Sequence, residues 1–201
     1  MRIPVAAVAA ASFVLLIGAT PPVDQGIALI AAVDAKNADL PDYTFQADVA
    51  VAMHHFPWLH FNLVGDGTHQ RGGPYAIHFT RMPWFAKQIH DVDLSPLDPG
   101  LWPKTYTYEA VGTDGDDTIF ELHALHDPSL QQARVALSAQ GADWVDETYA
   151  DGTHIRMTVV PAVSDGYLLP SQLDVAIDCP HMPLTAKASF SGYEFKPAAA
   201  P

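Results

Sequence analysis

The sequence predicts a mainly β protein of the α+β class: a single curved antiparallel sheet with one N-terminal helix and a lid segment over the concave face. Three observations carry this. Four Asp-Gly steps, Asp66-Gly67, Asp114-Gly115, Asp151-Gly152 and Asp165-Gly166, lie between runs rich in aliphatic, aromatic and Thr residues. Asp-Gly suits tight hairpins, because Gly takes positive φ freely and Asp tolerates it. Runs of strand character recur at regular spacing with short connections, and only one stretch, near the start, has helical spacing.

The chain opens with Met1-Arg2, an apolar run from Ile3 to Ile17 broken by Pro4 and Ser12, and then Gly18-Ala19-Thr20-Pro21-Pro22. One positive charge, a short apolar core and small residues before prolines read as a secretory signal peptide over residues 1–19, cleaved after Ala19. The run falls below the ~20 residues of a membrane span. The mature protein, residues 20–201, is expected to be one domain, free in the periplasm or outside the cell, with no stable membrane insertion after cleavage. Cys179 is the one cysteine. It can form no internal disulfide and stands too far from the leader to carry a lipid, so it is expected as a small buried residue ending the strand Leu173 to Cys179.

Charge excludes one function class. The chain has 10 Lys and Arg against 23 Asp and Glu, net −13, and loses a further positive charge with Arg2. Such a surface repels phosphate backbones and anionic membranes, so no nucleic-acid partner is expected.

The elements follow in order. Between Gly26 and Leu40, the residues Ile27, Ile30, Ala31, Val33 and Asn37 fall at helical spacing, Asp24 stands where it can cap the start and Pro41 ends the run. From Tyr43, the residues Phe45, Ala47, Val49, Val51 and Met53 point one way, while Thr44, Gln46, Asp48 and His54 point the other. Further strands are expected at 61–65, 75–80, 104–111, 118–125, 133–139, 144–149, 154–160, 173–179 and 188–195, with a disordered tail over 196–201. A sheet this large must curl to bury its apolar face, and the helix is expected in the concavity.

The exception among short connections is 82–103, which is long, punctuated by prolines and rich in large apolar groups: Met82, Trp84, Phe85, Ile89, Leu94, Leu97, Leu101 and Trp102. Long loops in compact domains are usually functional. This one is expected to fold over the sheet as a lid, or else to plug the open end of the core.

The N-terminal helix, Tyr43-Thr44-Phe45-Gln46-Ala47-Asp48-Val49, the Gly65-Asp66-Gly67 step, Asp127 to Leu137 and Tyr149-Ala150-Asp151-Gly152-Thr153 together resemble the outer-membrane lipoprotein carrier superfamily. The resemblance implies a periplasmic protein, an incomplete β-barrel with helices across its mouth and an apolar cavity for acyl chains. It does not single out which of Arg71, Arg81, Arg134 and Arg156 stands for the family's functional arginine.

Motifs for covalent chemistry are absent. Neither Gly-x-Ser-x-Gly, Ser-x-x-Lys, a phosphate loop nor a dinucleotide fingerprint occurs. Ten histidines invite a metal, but His54 with His55, and His123 with His126, project to opposite faces if they lie on strands. No metal or cofactor is expected, and Asp114-Gly115-Asp116-Asp117 reads as a hairpin tip rather than a calcium loop. The expected site is hydrophobic: Phe45, Val49, Val51, Phe61, Leu63, Ile77 and Phe79 beneath a roof of Met82, Trp84, Phe85 and Trp102. Such a surface suits a lipid, a lipoprotein acyl chain or another hydrophobic ligand. The alternatives are an envelope structural or interaction protein whose helix and lid fill the concavity, with another envelope protein as partner, and, third, an enzyme acting on an amphipathic substrate.

Overall fold

The structure is a computed structural model that describes residues 22–56, 58–71, 73–84, 91–180 and 183–196. The expected signal peptide, Phe85 and most of the tail lie outside these residues. Lys196, at the start of the expected tail, is tied down through its backbone N–H, which donates to Asp42 O at 2.8 Å.

Helix α1 (Pro22–Lys36) precedes an eleven-stranded antiparallel sheet in the order β4-β3-β2-β1-β11-β10-β9-β8-β7-β6-β5. Its first half comprises β1 (Tyr43–Met53), β2 (His60–His69), β3 (Tyr75–Arg81) and β4 (Asp91–Asp93). The second comprises β5 (Tyr106–Asp114), β6 (Asp117–Ala124), β7 (Leu130–Ser138), β8 (Gly141–Tyr149), β9 (His154–Ser164), β10 (Tyr167–Asp178) and β11 (Leu184–Phe195). Consecutive strands pair with one another, except β4 and β5, which form the two edges of the sheet; β11 also pairs with β1, which joins the halves.

The curl follows from chain length. Ten inter-strand steps at about 4.8 Å make a flat sheet about 48 Å wide. The edge strands β4 and β5 are consecutive in the chain, and residues 94–105 between them include a 3₁₀ turn (Ser95–Leu97) and a single helical turn, α2 (Trp102–Thr105). Even fully extended, twelve residues span only about 42 Å, so the sheet must roll until its edges approach. They meet through side chains, with Ser95 Oγ 3.0 Å from the Tyr106 hydroxyl. Register shifts in β1, β2, β5, β7 and β10 supply the local bends.

Three of the four Asp-Gly steps are turns. At Asp165-Gly166 both residues have positive φ, 49° and 89°. The fourth is a correction: Asp66-Gly67 lies inside β2, with Gly67 opposite Phe45. A Cβ on Gly67 would come within 2.0 Å of the Phe45 ring. Glycine is there to admit an aromatic ring across the ladder, not to turn the chain.

The helix also differs from its expected form. It begins at Pro22, which puts Asp24 within its first turn, and it stops at Lys36, before Pro41. Its inward stripe is Gly26, Leu29, Ile30 and Val33, whereas Ile27 is 58% exposed. Gly26 lets the helix settle on Phe120 and Ala110 of the concave face, where a Cβ would lie 2.9 Å from Ala110 Cβ. Lys36 Nζ donates to Ala139 O and Asn37 Nδ2 to Leu168 O, pinning the helix end to the β7–β8 and β9–β10 hairpins. Cys179 follows the end of β10 and is half-buried rather than buried.

Segment 94–105 is the plug of this half-barrel. Leu94, Leu97, Leu101 and Trp102 are buried, with Trp102 wholly so. Trp102 packs on Tyr108 and Phe120 with ring centroids 5.7 and 5.3 Å apart, and its Nε1–H donates to Pro96 O at 3.1 Å.

Candidate functional site

Burial alternates cleanly along β1, with Phe45, Ala47, Val49, Val51 and Met53 all inward. Toward the β1–β2 turn this inward face is not covered by α1, and the plug reaches it only through Leu94 and Thr105. A cavity of about 570 Å³ remains there, walled by side chains of β1, β2, β3 and β8–β11 together with Leu130 and Ala124.

Six of the sequence-predicted residues line it: Val49, Val51, Phe61, Leu63, Ile77 and Phe79. Phe45 does not. It lies deeper, against Phe190 and Tyr193 at 5.3 and 5.6 Å between centroids. The predicted roof is not brought together over the cavity: Trp84 is 81% exposed, Trp102 is interior to the plug, and Met82 is half-buried against the core. The wall instead includes Leu173, Val175, Ile177, Leu184, Ala186 and Ala188 from β10 and β11.

One end of the cavity is polar and acidic. Glu147 on β8 is only 6% exposed and accepts a hydrogen bond from the Tyr149 hydroxyl at 3.0 Å. Asp93, Asp127, His126, Thr105 and Tyr106 complete this end, and among the described residues no Lys or Arg lines the cavity. Burial drives the Glu147 carboxyl up to about 7; the Tyr149 bond opposes the rise, and the negative charges of Asp93, Asp127 and Asp146 add to it. Burial also raises the Tyr106 and Tyr149 phenols above their ordinary range, so both remain protonated donors. Asp127 behaves oppositely. The Ser129 hydroxyl and backbone N–H donate to it, which lowers its pKa and keeps it ionised. Ser95 holds Asp93 in place by donating from Oγ at 2.8 Å and from its backbone N–H at 2.9 Å.

Sequence reasoning missed this acidic end, although a signal was present. Glu147 shares strand parity with Val145 and Tyr149, which puts it on the inward face. Asp93 lies in β4, a strand inside the segment taken as loop.

A second, smaller cavity of about 300 Å³ lies at the other end of the barrel, beside Tyr43, Tyr75, His69 and α1. His69 is 6% exposed, stacks on Tyr43 at 4.7 Å and sets Nε2 3.0 Å from Asp98 Oδ2, tying β2 to the plug. His69 Nδ1 and Asn37 Oδ1 are buried here without a hydrogen-bond partner among the described residues. Of the other histidines, His54 and His55 lie beyond the end of β1 and are exposed, so strand-face geometry does not apply to them. His123 contacts Glu121 at 3.2 Å, and His126 lines the larger cavity. No three His, Cys, Asp or Glu side chains converge as metal ligands among the described residues.

No protein-family model matches the sequence, and no curated protein does. Solved structures do. A DUF1329 family protein from Desulfovibrio piger superposes with a TM-score of 0.61 at 11% identity, covering 90% of this chain and 96% of that one. A putative outer membrane lipoprotein-sorting protein domain from Vibrio parahaemolyticus gives 0.59 at 9% identity, over 89% and 95% of the two chains. A LolA superfamily protein from Nitrosomonas europaea gives 0.57 at 9% identity, over 86% and 94%. At these identities the likeness is one of fold, and the incomplete barrel implied by the sequence resemblance is the fold this chain shares with the lipoprotein-sorting and LolA superfamily structures.

Proposed function

We propose that the protein is an exported, non-enzymatic carrier that binds the hydrocarbon portion of a lipid, an acylated protein or another amphiphile in the larger cavity. The observation that carries this reading is the cavity itself: about 570 Å³, apolar over most of its wall and placed in the concave face. Ligand pockets commonly hold about 300–1,000 Å³ and are mostly apolar with a few polar groups. Burial of hydrocarbon is worth about 0.8 kcal/mol per methylene, so ten buried methylenes supply roughly 8 kcal/mol, near micromolar affinity before ordering costs. The likeness in fold to a lipoprotein-sorting domain supports the same reading. The leader-like sequence over residues 1–19 supports export. Among the described residues no helix is long and apolar enough to cross a membrane.

The test is native mass spectrometry and lipid extraction on protein purified from its own cell envelope. A co-purifying amphiphile at near one equivalent is expected. Protein that emerges free of lipid and takes up no alkyl probe contradicts the carrier reading and favours the envelope interaction protein.

A further inference from the structure

The walls of the larger cavity are apolar, but the charges at its polar end are of one sign. Asp93 from β4, Asp127 from the β6–β7 turn, Glu147 from β8 and Tyr106 from β5 all line the cavity, and the charges of Asp93 and Asp127 act on both Glu147 and Tyr106. The groups facing Glu147 are the Tyr149 hydroxyl on its own strand, Asp93, Asp127 and, one residue along β8, Asp146. Asp146 is engaged elsewhere, with Arg156 at 3.0 Å and His154 at 3.2 Å. From the flanking strands, β7 sets Ala133 beside Glu147 and β9 sets Ile155 there, so neither brings a charge. Among the lining residues, His126 is the one side chain able to become cationic.

This arrangement disfavours an anionic head group. A carboxylate or phosphate entering here would lose water and face carboxylates with no guanidinium or ammonium among the described lining residues to receive it. A cation gains from the same geometry: Glu147 is buried and attracts it more strongly than a surface carboxylate would, and the exposed Asp93 and Asp127 add their charge at the mouth. The phenols of Tyr106 and Tyr149 add polarisable faces and hydroxyls beside it. Resting on the carrier reading, we propose that the ligand is a cationic amphiphile: an alkyl chain in the apolar cavity, with an amine or quaternary ammonium head held among Asp93, Asp127 and Glu147. The raised Glu147 carboxyl fits this assignment, since a bound cation favours its ionised form and couples binding to proton release.

Three probes of equal chain length, below their micelle concentrations, test it by calorimetric titration of the purified chain: decyltrimethylammonium, decyl glucoside and decanoate. At pH 8 the cation is expected to bind about tenfold more tightly than the glucoside and at least a hundredfold more tightly than decanoate. Cation affinity should fall several-fold from pH 8 to pH 5.5 while the glucoside's stays level. E147Q and, as a variant at an exposed site, D127N should each narrow the cation's advantage over the glucoside; a urea melt on each confirms folding. Glucoside binding with no preference for the cation, or decanoate binding equally well, overturns the head-group assignment and leaves the carrier reading standing. No binding by any of the three overturns both.

Discussion

Burial at Glu147 makes folding and protonation one equilibrium. The carboxyl titrates near 7 in the folded protein against an ordinary 4.5, so the native state holds a proton that the unfolded chain has released. Stability from this group is therefore fully present below about pH 4.5, declines as pH rises toward 7, and is lost above that. The shift corresponds to roughly 3 kcal/mol. Glu147→Gln keeps an acceptor for the Tyr149 hydroxyl and removes the charge, so it should raise stability at pH 8 by up to about that amount and change little at pH 4.5. Urea melts at the two pH values measure this; an unchanged pH slope would show that Glu147 ionises without cost.

Residue identities inside the cavity were legible wherever strict alternation fixed a face. Val49, Val51, Phe61, Leu63, Ile77 and Phe79 all reach the wall, because each has a partner two residues away on its own strand. Glu147 and His69 obey the same parity, yet a polar residue at an inward position carries no hydrophobic signal. His69 was further hidden by the expected turn at Asp66-Gly67. Trp84 and Trp102 were indistinguishable by composition: both are tryptophans in one proline-rich segment, and what separates them is burial, 81% exposure against none.

At the level of elements, that difference has a measurable consequence. Trp102 is the centre of the plug, between Phe120, Tyr108 and Pro96. Trp102→Ala should cost about 3–5 kcal/mol, and Trp84→Ala less than about 0.5 kcal/mol, in urea unfolding. Equal losses would mean that the two ends of the segment fold as a single lid. Strand β2 offers a second case. Gly67→Ala drives a methyl group into the Phe45 ring, an overpacking that usually costs about 1–3 kcal/mol. Adding Phe45→Leu should return part of this loss, because a smaller side chain makes room. If the two losses simply add, Phe45 is not what requires glycine at position 67.

For the whole molecule, sheet class, antiparallel order and one leading helix follow from period-two runs, turn residues and a single 3.6-residue stripe. Curvature was less legible. It is set by the distance between the ends of 94–105 and by register shifts at places such as Thr44/Gln46 and Pro170/Gln172, which depend on cross-strand partners that local sequence does not name. The cavity is less legible still. It exists because α1 and the plug together cover only one end of the concave face, through Gly26 on Phe120 and Trp102 beneath it. Local sequence patterns cannot show how far a helix reaches across a sheet.

A chain-length series tests cavity binding most directly. Alkyl glucosides from hexyl to dodecyl share a neutral head and differ by methylenes alone. If the chain enters the cavity, affinity should rise about fourfold per added methylene, as burial at about 0.8 kcal/mol each requires. The rise should level off once the cavity of about 570 Å³ is full. Leu63→Trp, which fills the wall, should bring the plateau to a shorter chain. Affinity that is flat across the series, or rises without limit and ignores Leu63→Trp, would place the alkyl chain outside the half-barrel and contradict the carrier reading.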